Sequence, residues 1–216
     1  AVDREFGRLL AELKRLGLDK NTIVVFTSDH GETMCSHSTD DPKNSIWTES
    51  FNVPFLIRYP AVLPHRTDSL LMTPVDIMPT LLSLSGLKEK IPAAVEGRDF
   101  AGVLLGKSED RPQAALYMRN VNGDRDADGL VRRFHPVARG IKTSDYTMEF
   151  VINREFELVD VSIFDDRNDP YQMHKILPRE RPGLFRGLCA LVEEELHRTN
   201  DVWYREGIFK RIIQNI

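Results

Sequence analysis

The sequence is poor in cysteine, in excess positive charge and in long apolar runs, and each shortage argues against a class of protein. Its two cysteines, Cys35 and Cys189, stand about 150 residues apart and do not form the framework of a disulfide-rich domain. The net charge of -4 gives no basic surface for nucleic acid, so no nucleic-acid partner is expected. No apolar run approaches the roughly 18 to 20 residues of a membrane helix, so no membrane span is expected.

What the sequence does contain is a strand that ends in charged residues. The apolar run from Ile23 to Phe26 predicts a strand buried on both faces of an α/β sheet, and it stops at Ser28-Asp29-His30-Gly31-Glu32. Open α/β sheets bind ligands at the carboxyl ends of their strands. Adjacent strand residues point to opposite faces, but a turn at Gly31 can direct the side chains of Asp29 and His30 toward one ion.

Several further segments follow this strand end in a specific order. They are Lys43, Trp47-Thr48-Glu49-Ser50, Val53-Pro54, the segment from Val75 to Leu82, and Asn168-Asp169-Pro170-Tyr171-Gln172-Met173. Together with Asp29-His30-Gly31-Glu32, this ordered set resembles the second half of the sulfatase family, within the alkaline phosphatase superfamily. The resemblance covers most of the chain, and it rests on the whole set because each piece alone is weak.

The resemblance implies a metal site and a sulfate-binding lysine. Asp29 and His30 would hold one divalent cation together with acidic residues of the amino-terminal half, and Lys43 would contact the sulfate oxygens. The family's cation is usually calcium. Imidazole beside calcium is unusual, however, because calcium prefers oxygen ligands, so manganese and zinc are alternatives. An ammonium group held in place can stabilise the charge that shifts onto sulfate oxygens during hydrolysis.

The family's nucleophile motif, Cys (or Ser)-x-Pro-x-Arg, is absent from these residues. Cys35 begins Cys-Ser-His-Ser-Thr and Cys189 begins Cys-Ala-Leu-Val-Glu, so neither is the residue that the family oxidises to formylglycine. We therefore expect the chain to be the carboxyl-terminal portion of a sulfatase, inactive alone, with the missing amino-terminal half as its partner. Sheet edges left exposed where that half docks also allow self-association.

The predicted function is hydrolysis of sulfate esters. A phosphodiesterase or phosphonate monoester hydrolase of the same superfamily is an alternative, because that branch shares the Asp-His pair and the lysine. A non-catalytic binding or structural fragment is the second alternative. The sequence indicates neither the substrate nor the cellular location.

The predicted fold class is α/β. Residues 1–110 are expected to form part of an alkaline-phosphatase-like mixed sheet flanked by helices, and residues 111–216 a small antiparallel sheet covered by a helix. Periodicity predicts a helix over residues 2–17 that ends at Gly17, and a final helix over 182–197. Strands are predicted at 53–59, 114–118, 136–143, 145–152 and 157–164. The tail from residue 203 is either helix or packed arm.

Other polar residues are better explained by structural roles. Thr73, Pro74 and Asp76 have the pattern of a helix start. His37 is expected to pack within its loop, and Glu32 and Glu49 to orient that loop through hydrogen bonds. Weaker candidates for substrate contact are Arg119, Asn120 and His135. The acidic segment 122–129 is predicted to be a surface loop rather than a calcium site, because no glutamate stands at its twelfth position.

Overall fold

The computed structural model describes residues 1–38, 42–122 and 134–216, and these residues form two antiparallel sheets with helices around them. In chain order the elements are α1 (Val2–Arg15), β1 (Val24–Thr27), α2 (Thr48–Phe51), β2 (Phe55–Arg58), α3 (Pro74–Leu84), α4 (Ala101–Leu104), β3 (Ala115–Asn122), β4 (Phe134–Lys142), β5 (Tyr146–Ile152), β6 (Leu158–Asp165), α5 (Pro182–Arg198), α6 (Val202–Arg205) and α7 (Ile208–Gln214). The acidic segment predicted as a surface loop lies, from residue 123 onward, outside the described residues. None of the helices in the described part of the chain is long and apolar enough to cross a bilayer.

Helix α1 forms as its periodicity predicts. Gly17, at φ 70°, ends the helix in the left-handed conformation that glycine adopts without strain, and the Leu18 N–H donates to the Leu13 carbonyl at 3.0 Å. On its inner side Phe6 packs against Phe26 of β1, with ring centroids 5.2 Å apart. Other apolar side chains of α1 remain exposed, among them Leu9 at 64%.

The first sheet consists of β1 and β2, paired antiparallel from Val24–Arg58 to Thr27–Phe55. The prediction that β1 is buried on both faces is wrong for the described residues, since Val24 to Phe26 are half-buried and Thr27 is exposed. The reason is that β2 is the one strand that pairs with β1 in the described ranges, while the packing of Phe6 on Phe26 covers the strand only in part.

The start of α3 is as predicted. Pro74 is the first helical residue, and the buried Asp76 accepts from both the N–H and the Oγ1–H of Thr73, at 2.7 and 2.8 Å. The other Asp76 oxygen accepts from the Arg98 N–H at 2.7 Å. Asp76 therefore has the structural role that its position in the sequence favours.

The carboxyl-terminal region is a four-stranded meander in the order β3-β4-β5-β6, all antiparallel, which confirms the predicted small sheet. Helix α5 covers one face, and its Val192 and Leu196 belong to the same fully buried core as Met148 and Phe150 of β5. The tail forms α6 and α7. Its Trp203 is completely buried in the same core and donates its indole N–H to the Pro136 carbonyl at 2.8 Å.

The opposite face of this sheet carries the polypeptide that leads into β2. Trp47 packs against Phe164 of β6 with ring centroids 5.1 Å apart, and Phe51 of α2 packs against Tyr117 of β3 at 5.8 Å. The loop after β1 is thus fixed to the second sheet. The subdomain boundary at residue 110 stays a prediction.

Candidate functional site

The turn after β1 places the side chains of Asp29 and His30 next to each other. Asp29 Oδ1 accepts from the His30 N–H at 3.0 Å and from the Ser28 hydroxyl at 3.3 Å, while its Oδ2 lies 3.6 Å from His30 Nε2. The hydrogen bond from the His30 backbone is the largest cause that lowers the pKa of Asp29 below its ordinary value. With its side chain 85% exposed, Asp29 is an ionised carboxylate open to a ligand.

The tautomer of His30 follows from its neighbours. His30 Nδ1 lies 2.7 Å from the Gly31 carbonyl oxygen, which can only accept, so Nδ1 carries the proton. In the neutral ring Nε2 then presents a lone pair, and this lone pair lies beside the Asp29 carboxylate. In that form His30 Nε2 and Asp29 Oδ2, 3.6 Å apart, could both bind one cation.

These two residues fit part of a metal-ligand set. In the described ranges no group of three or more His, Cys, Asp or Glu side chains converges on one point, so Asp29 and His30 form a pair of donors without a third. One carboxylate and one imidazole suit manganese or zinc, and the carboxylate also suits calcium. Their role as metal ligands stays a prediction.

Lys43 is linked to this turn through Ser50 of α2. The buried Ser50 hydroxyl donates to the Lys43 carbonyl at 2.5 Å, and the Ser50 carbonyl accepts from the Gly31 N–H at 2.7 Å. The Lys43 side chain is 55% exposed, and its Nζ lies 3.9 Å from a Glu32 oxygen. Ser50 therefore forms hydrogen bonds both to the backbone of Lys43 and to the Asp29–Gly31 turn.

A glycine is required at position 31 by close backbone approach. A Cβ built there would lie 1.9 Å from the Glu49 carbonyl oxygen, far inside van der Waals contact. The same Glu49 carbonyl accepts from the Glu32 N–H at 2.8 Å. The turn and α2 are consequently packed backbone to backbone.

His37 packs within its loop, as predicted. Its ring is stacked on Trp47 at 3.9 Å with the planes 7° apart, and its Nε2 lies 3.5 Å from a Glu49 carboxylate oxygen. Its backbone is left-handed, at φ 57°, as are those of Met34, Cys35 and Ser38. Such conformations are costly for residues other than glycine and persist where the surroundings hold them.

The weaker candidates on the second sheet all contact other residues of that sheet or its turns. Arg119 Nη2 lies 3.6 Å from Glu149, the Asn120 side-chain oxygen accepts from Arg139 at 3.0 Å, and His135 contacts the edge of Phe156. Glu149 was not predicted from the sequence. It is buried on the face that also carries Tyr117, and burial is the largest cause that raises its pKa to about 7.

Two supporting residues, Ser50 and Gln172, were also not assigned roles from the sequence. Both belong to segments that carry the family resemblance, but nothing in the residue types indicates their contacts. Gln172 hydrogen-bonds to Thr48, a residue 124 positions away, and such a contact leaves no local pattern.

Comparison with known proteins agrees with the resemblance. A family model described as Sulfatase matches residues 1–87. An endo-4-O-sulfatase of Bacteroides thetaiotaomicron is 48% identical over 210 residues, which cover 96% of this chain and 41% of that protein. An ulvan-active sulfatase of Formosa agariphila is 35% identical over 210 residues, covering 93% of this chain and 38% of that protein.

A solved structure shows the same fold. This structure comes from work on the metabolism of multiple glycosaminoglycans by Bacteroides thetaiotaomicron. It matches with a TM-score of 0.93 at 48% sequence identity, and the match covers 97% of this chain and 44% of the other chain. The predicted α/β fold class is thereby confirmed. The chain spans about two fifths of the length of these curated relatives.

Proposed function

Because the chain belongs to the sulfatase family and corresponds to its carboxyl-terminal portion, we propose that it supplies the cation-binding and sulfate-binding side chains of a sulfate-ester hydrolase. The observation that carries the proposal is the Asp29–His30 pair, an ionised carboxylate 3.6 Å from the Nε2 of an imidazole whose Nδ1 is bonded to the Gly31 carbonyl. A bound divalent cation would withdraw negative charge from the reacting sulfate group.

The chain's own residues have three tasks in this proposal. Asp29 contributes negative charge toward the cation. The hydrogen bond from His30 Nδ1 to the Gly31 carbonyl fixes the imidazole ring so that Nε2 lies beside the Asp29 carboxylate. Lys43 places a positive charge beside the sulfate oxygens, where it stabilises the charge that shifts onto them as the S–O bond breaks.

The nucleophile would come from a part of the protein outside these residues. We expect a hydrated formylglycine there, as in the family, and we expect the 216 residues to be inactive alone. The exposed apolar side chains of Val2 and Leu9 in α1, and of Leu16 directly after it, support contact with a further part of the protein. Native mass spectrometry with metal analysis examines this expectation: a heavier species with a second chain and one divalent ion means that the enzyme is assembled from two pieces, whereas a bare 24.8 kDa chain without metal means an isolated, inactive domain whose catalytic roles apply only within its parent protein.

For the substrate class we propose a sulfated polysaccharide, with 4-O-sulfated sugars as the first choice. The support is that the relative with 48% identity is named an endo-4-O-sulfatase and that the matching structure belongs to work on glycosaminoglycan metabolism. The ulvan-active relative at 35% identity also has a polysaccharide in its name.

Metal binding is tested in an enzyme that joins this chain to the nucleophile-bearing part, because the described residues supply two ligands without a third. Isothermal titration with Ca²⁺, Mn²⁺ and Zn²⁺ should show binding of at least one of these ions, weakened at least ~10-fold in Asp29→Asn because a charged ligand is lost. Asp3→Asn is the matched control, since Asp3 is an exposed carboxylate in the first turn of α1. Equal affinity in the wild type and Asp29→Asn contradicts the assignment.

Activity is tested in an enzyme that joins this chain to the nucleophile-bearing part. Asp29→Asn and Lys43→Ala should each lower kcat/KM on 4-O-sulfated oligosaccharides by ~10²-fold, the scale for removing one electrostatic stabiliser. Lys20→Ala, at an exposed turn lysine, should change little. A loss below threefold in both site variants contradicts the assignments, and a preference for phosphate diesters favours the phosphodiesterase alternative.

A further inference from the structure

Gln172 has an unusual position for a long polar side chain. It is 1% exposed, and its backbone adopts the left-handed conformation at φ 54°. A residue other than glycine is uncommon in this region, and burial of its amide is unfavourable unless both ends are hydrogen-bonded. Its surroundings must therefore hold it firmly.

Both ends of the amide have partners that fix its orientation. Oε1 accepts from the Thr48 N–H at 2.8 Å, and Nε2 donates to Asp166 Oδ1 at 2.9 Å. A backbone N–H can only donate and an ionised carboxylate can only accept, so the amide cannot be flipped without losing both bonds.

Asp166 is in turn held by the second sheet. Its other oxygen, Oδ2, accepts from Lys142 Nζ at 2.5 Å and from the Thr147 hydroxyl at 2.7 Å. Lys142 ends β4, and Thr147 stands opposite it on β5. Gln172 thus connects a rigid sheet to the N–H of Thr48.

Thr48 is the first residue of α2, which has only four residues. A helix this short is unstable alone, and its first N–H groups have no partner within the helix. Gln172 supplies the partner for one of them. The same short helix contains Ser50, which holds both Lys43 and Gly31.

We propose that Gln172 is a positioning residue for the candidate site. By binding the first N–H of α2 it fixes Ser50, and through Ser50 it sets the place of Lys43 and of the Asp29–Gly31 turn. This inference rests on the proposed function for its catalytic consequence, but its structural part is testable on the chain alone.

Hydrogen exchange on the chain provides the structural test. In Gln172→Ala the amides of Thr48, Gly31 and Glu32 should exchange about tenfold faster, since one hydrogen bond and its neighbours are lost. The amides of Met148 and Phe150 in the core should keep their protection. Uniformly faster exchange, or no change at the three loop amides, contradicts the proposal.

The matched control is Asn153→Ala. The Asn153 side-chain oxygen also accepts backbone N–H groups, from Glu155 at 3.1 Å and Glu157 at 2.8 Å, but it does so in the β5–β6 turn. This variant should leave exchange at Thr48, Gly31 and Glu32 unchanged. Faster exchange there would mean that the loop responds to any loss of stability, which overturns a specific role of Gln172.

The substitution Gln172→Glu adds a pH signature. The new carboxylate would face Asp166, and two such groups can share one proton in acid but repel each other when both are ionised. Relative to wild type, exchange at Thr48 should be near normal at pH 5 and faster at pH 8. A ratio that does not depend on pH contradicts the contact between Gln172 and Asp166.

The catalytic consequence is tested by a double-mutant cycle in the enzyme that joins this chain to the nucleophile-bearing part. Gln172→Ala should lower kcat by ~10²-fold, the effect of a small misplacement of a catalytic group. Because it supports both Lys43 and the Asp29–Gly31 turn, it should add well below ~10²-fold to the loss in Lys43→Ala. Full additivity of the two losses in kcat overturns the coupling between Gln172 and Lys43. A Lys43→Ala enzyme with the kcat of the wild type overturns the proposed function, while the hydrogen-exchange result still decides the role of Gln172.

Discussion

Glu149 should make the stability of this chain fall as the pH rises through neutrality. The residue is 5% exposed, its one ion-pair partner among the described residues is Arg119 at 3.6 Å, and its Oε1 accepts no hydrogen bond there. Burial raises the pKa of Glu149 from 4.5 to about 7; the charge of Arg119 opposes this shift and that of Asp160 adds to it.

The sign follows from proton binding in the two states. Between about pH 4.5 and pH 7 the folded protein keeps the Glu149 proton, while the unfolded chain has released it. The folded state thus binds more protons in this window, so the free energy of unfolding decreases as the pH rises. One pKa unit corresponds to about 1.4 kcal/mol, so the shift amounts to about 3 kcal/mol of stability that is present near pH 4.5 and lost above pH 7.

The assay compares urea unfolding of the wild type and Glu149→Gln between pH 5 and pH 8. Glutamine cannot ionise, so the variant should match the wild type at pH 5 and exceed its free energy of unfolding by about 3 kcal/mol at pH 8. All other titrating groups are common to both proteins and cancel in the difference. A difference that stays constant across the range would refute the reasoning.

Glu195→Gln is the contrasting control for that experiment. Glu195 is equally buried, but it pairs with Arg98 at 2.6 Å and with Arg198 at 2.9 Å. Removing its charge leaves two arginines without their carboxylate, so this variant should be less stable than the wild type at pH 8. If Glu149→Gln raises the free energy of unfolding at pH 8 while Glu195→Gln lowers it, then ion pairing, and not burial alone, decides the effect of removing the charge.

Two further substitutions test the packing around the site and the second sheet. Gly31→Ala should lower the free energy of unfolding by about 3 kcal/mol and weaken metal binding, because the new methyl group would lie 1.9 Å from the Glu49 carbonyl oxygen and must displace it. A thermal unfolding midpoint equal to that of the wild type contradicts this prediction. Arg139→Met should cost about 3–5 kcal/mol in urea unfolding, because it leaves Asp201, which accepts from Arg139 Nε at 3.0 Å, buried without its cation. A cost below about 1 kcal/mol would show that the Asp201 carboxylate finds another partner.

The parts of the fold that sequence reasoning predicted are those with local causes. The apolar period of α1 and its end at Gly17 involve neighbours three to five residues apart, and so do the Thr73–Asp76 contacts that begin α3. The burial of β1 was predicted wrongly for a related reason. An apolar run shows what a strand is able to bury, but the surface that covers it is set by distant parts of the chain.

The same distinction applies to the site. Asp29, His30 and Lys43 were predicted because their residue types and order carry a resemblance, and the structure adds how the first two face each other. Their support was not predictable, because the contact of Gln172 with Thr48 spans 124 residues and that of Ser50 uses its hydroxyl and its backbone carbonyl at once.

Gly31 shows why residue type alone is an incomplete guide to such a site. The sequence favours a glycine there for a turn, yet its φ is not left-handed, and the requirement comes from the Glu49 carbonyl packed against it. The turn is therefore shaped by α2, which in turn depends on the second sheet through Trp47, Phe51 and Gln172. It follows that a substitution on the second sheet can disturb the candidate metal ligands without touching them, and that the two sheets must be considered together when the site is engineered.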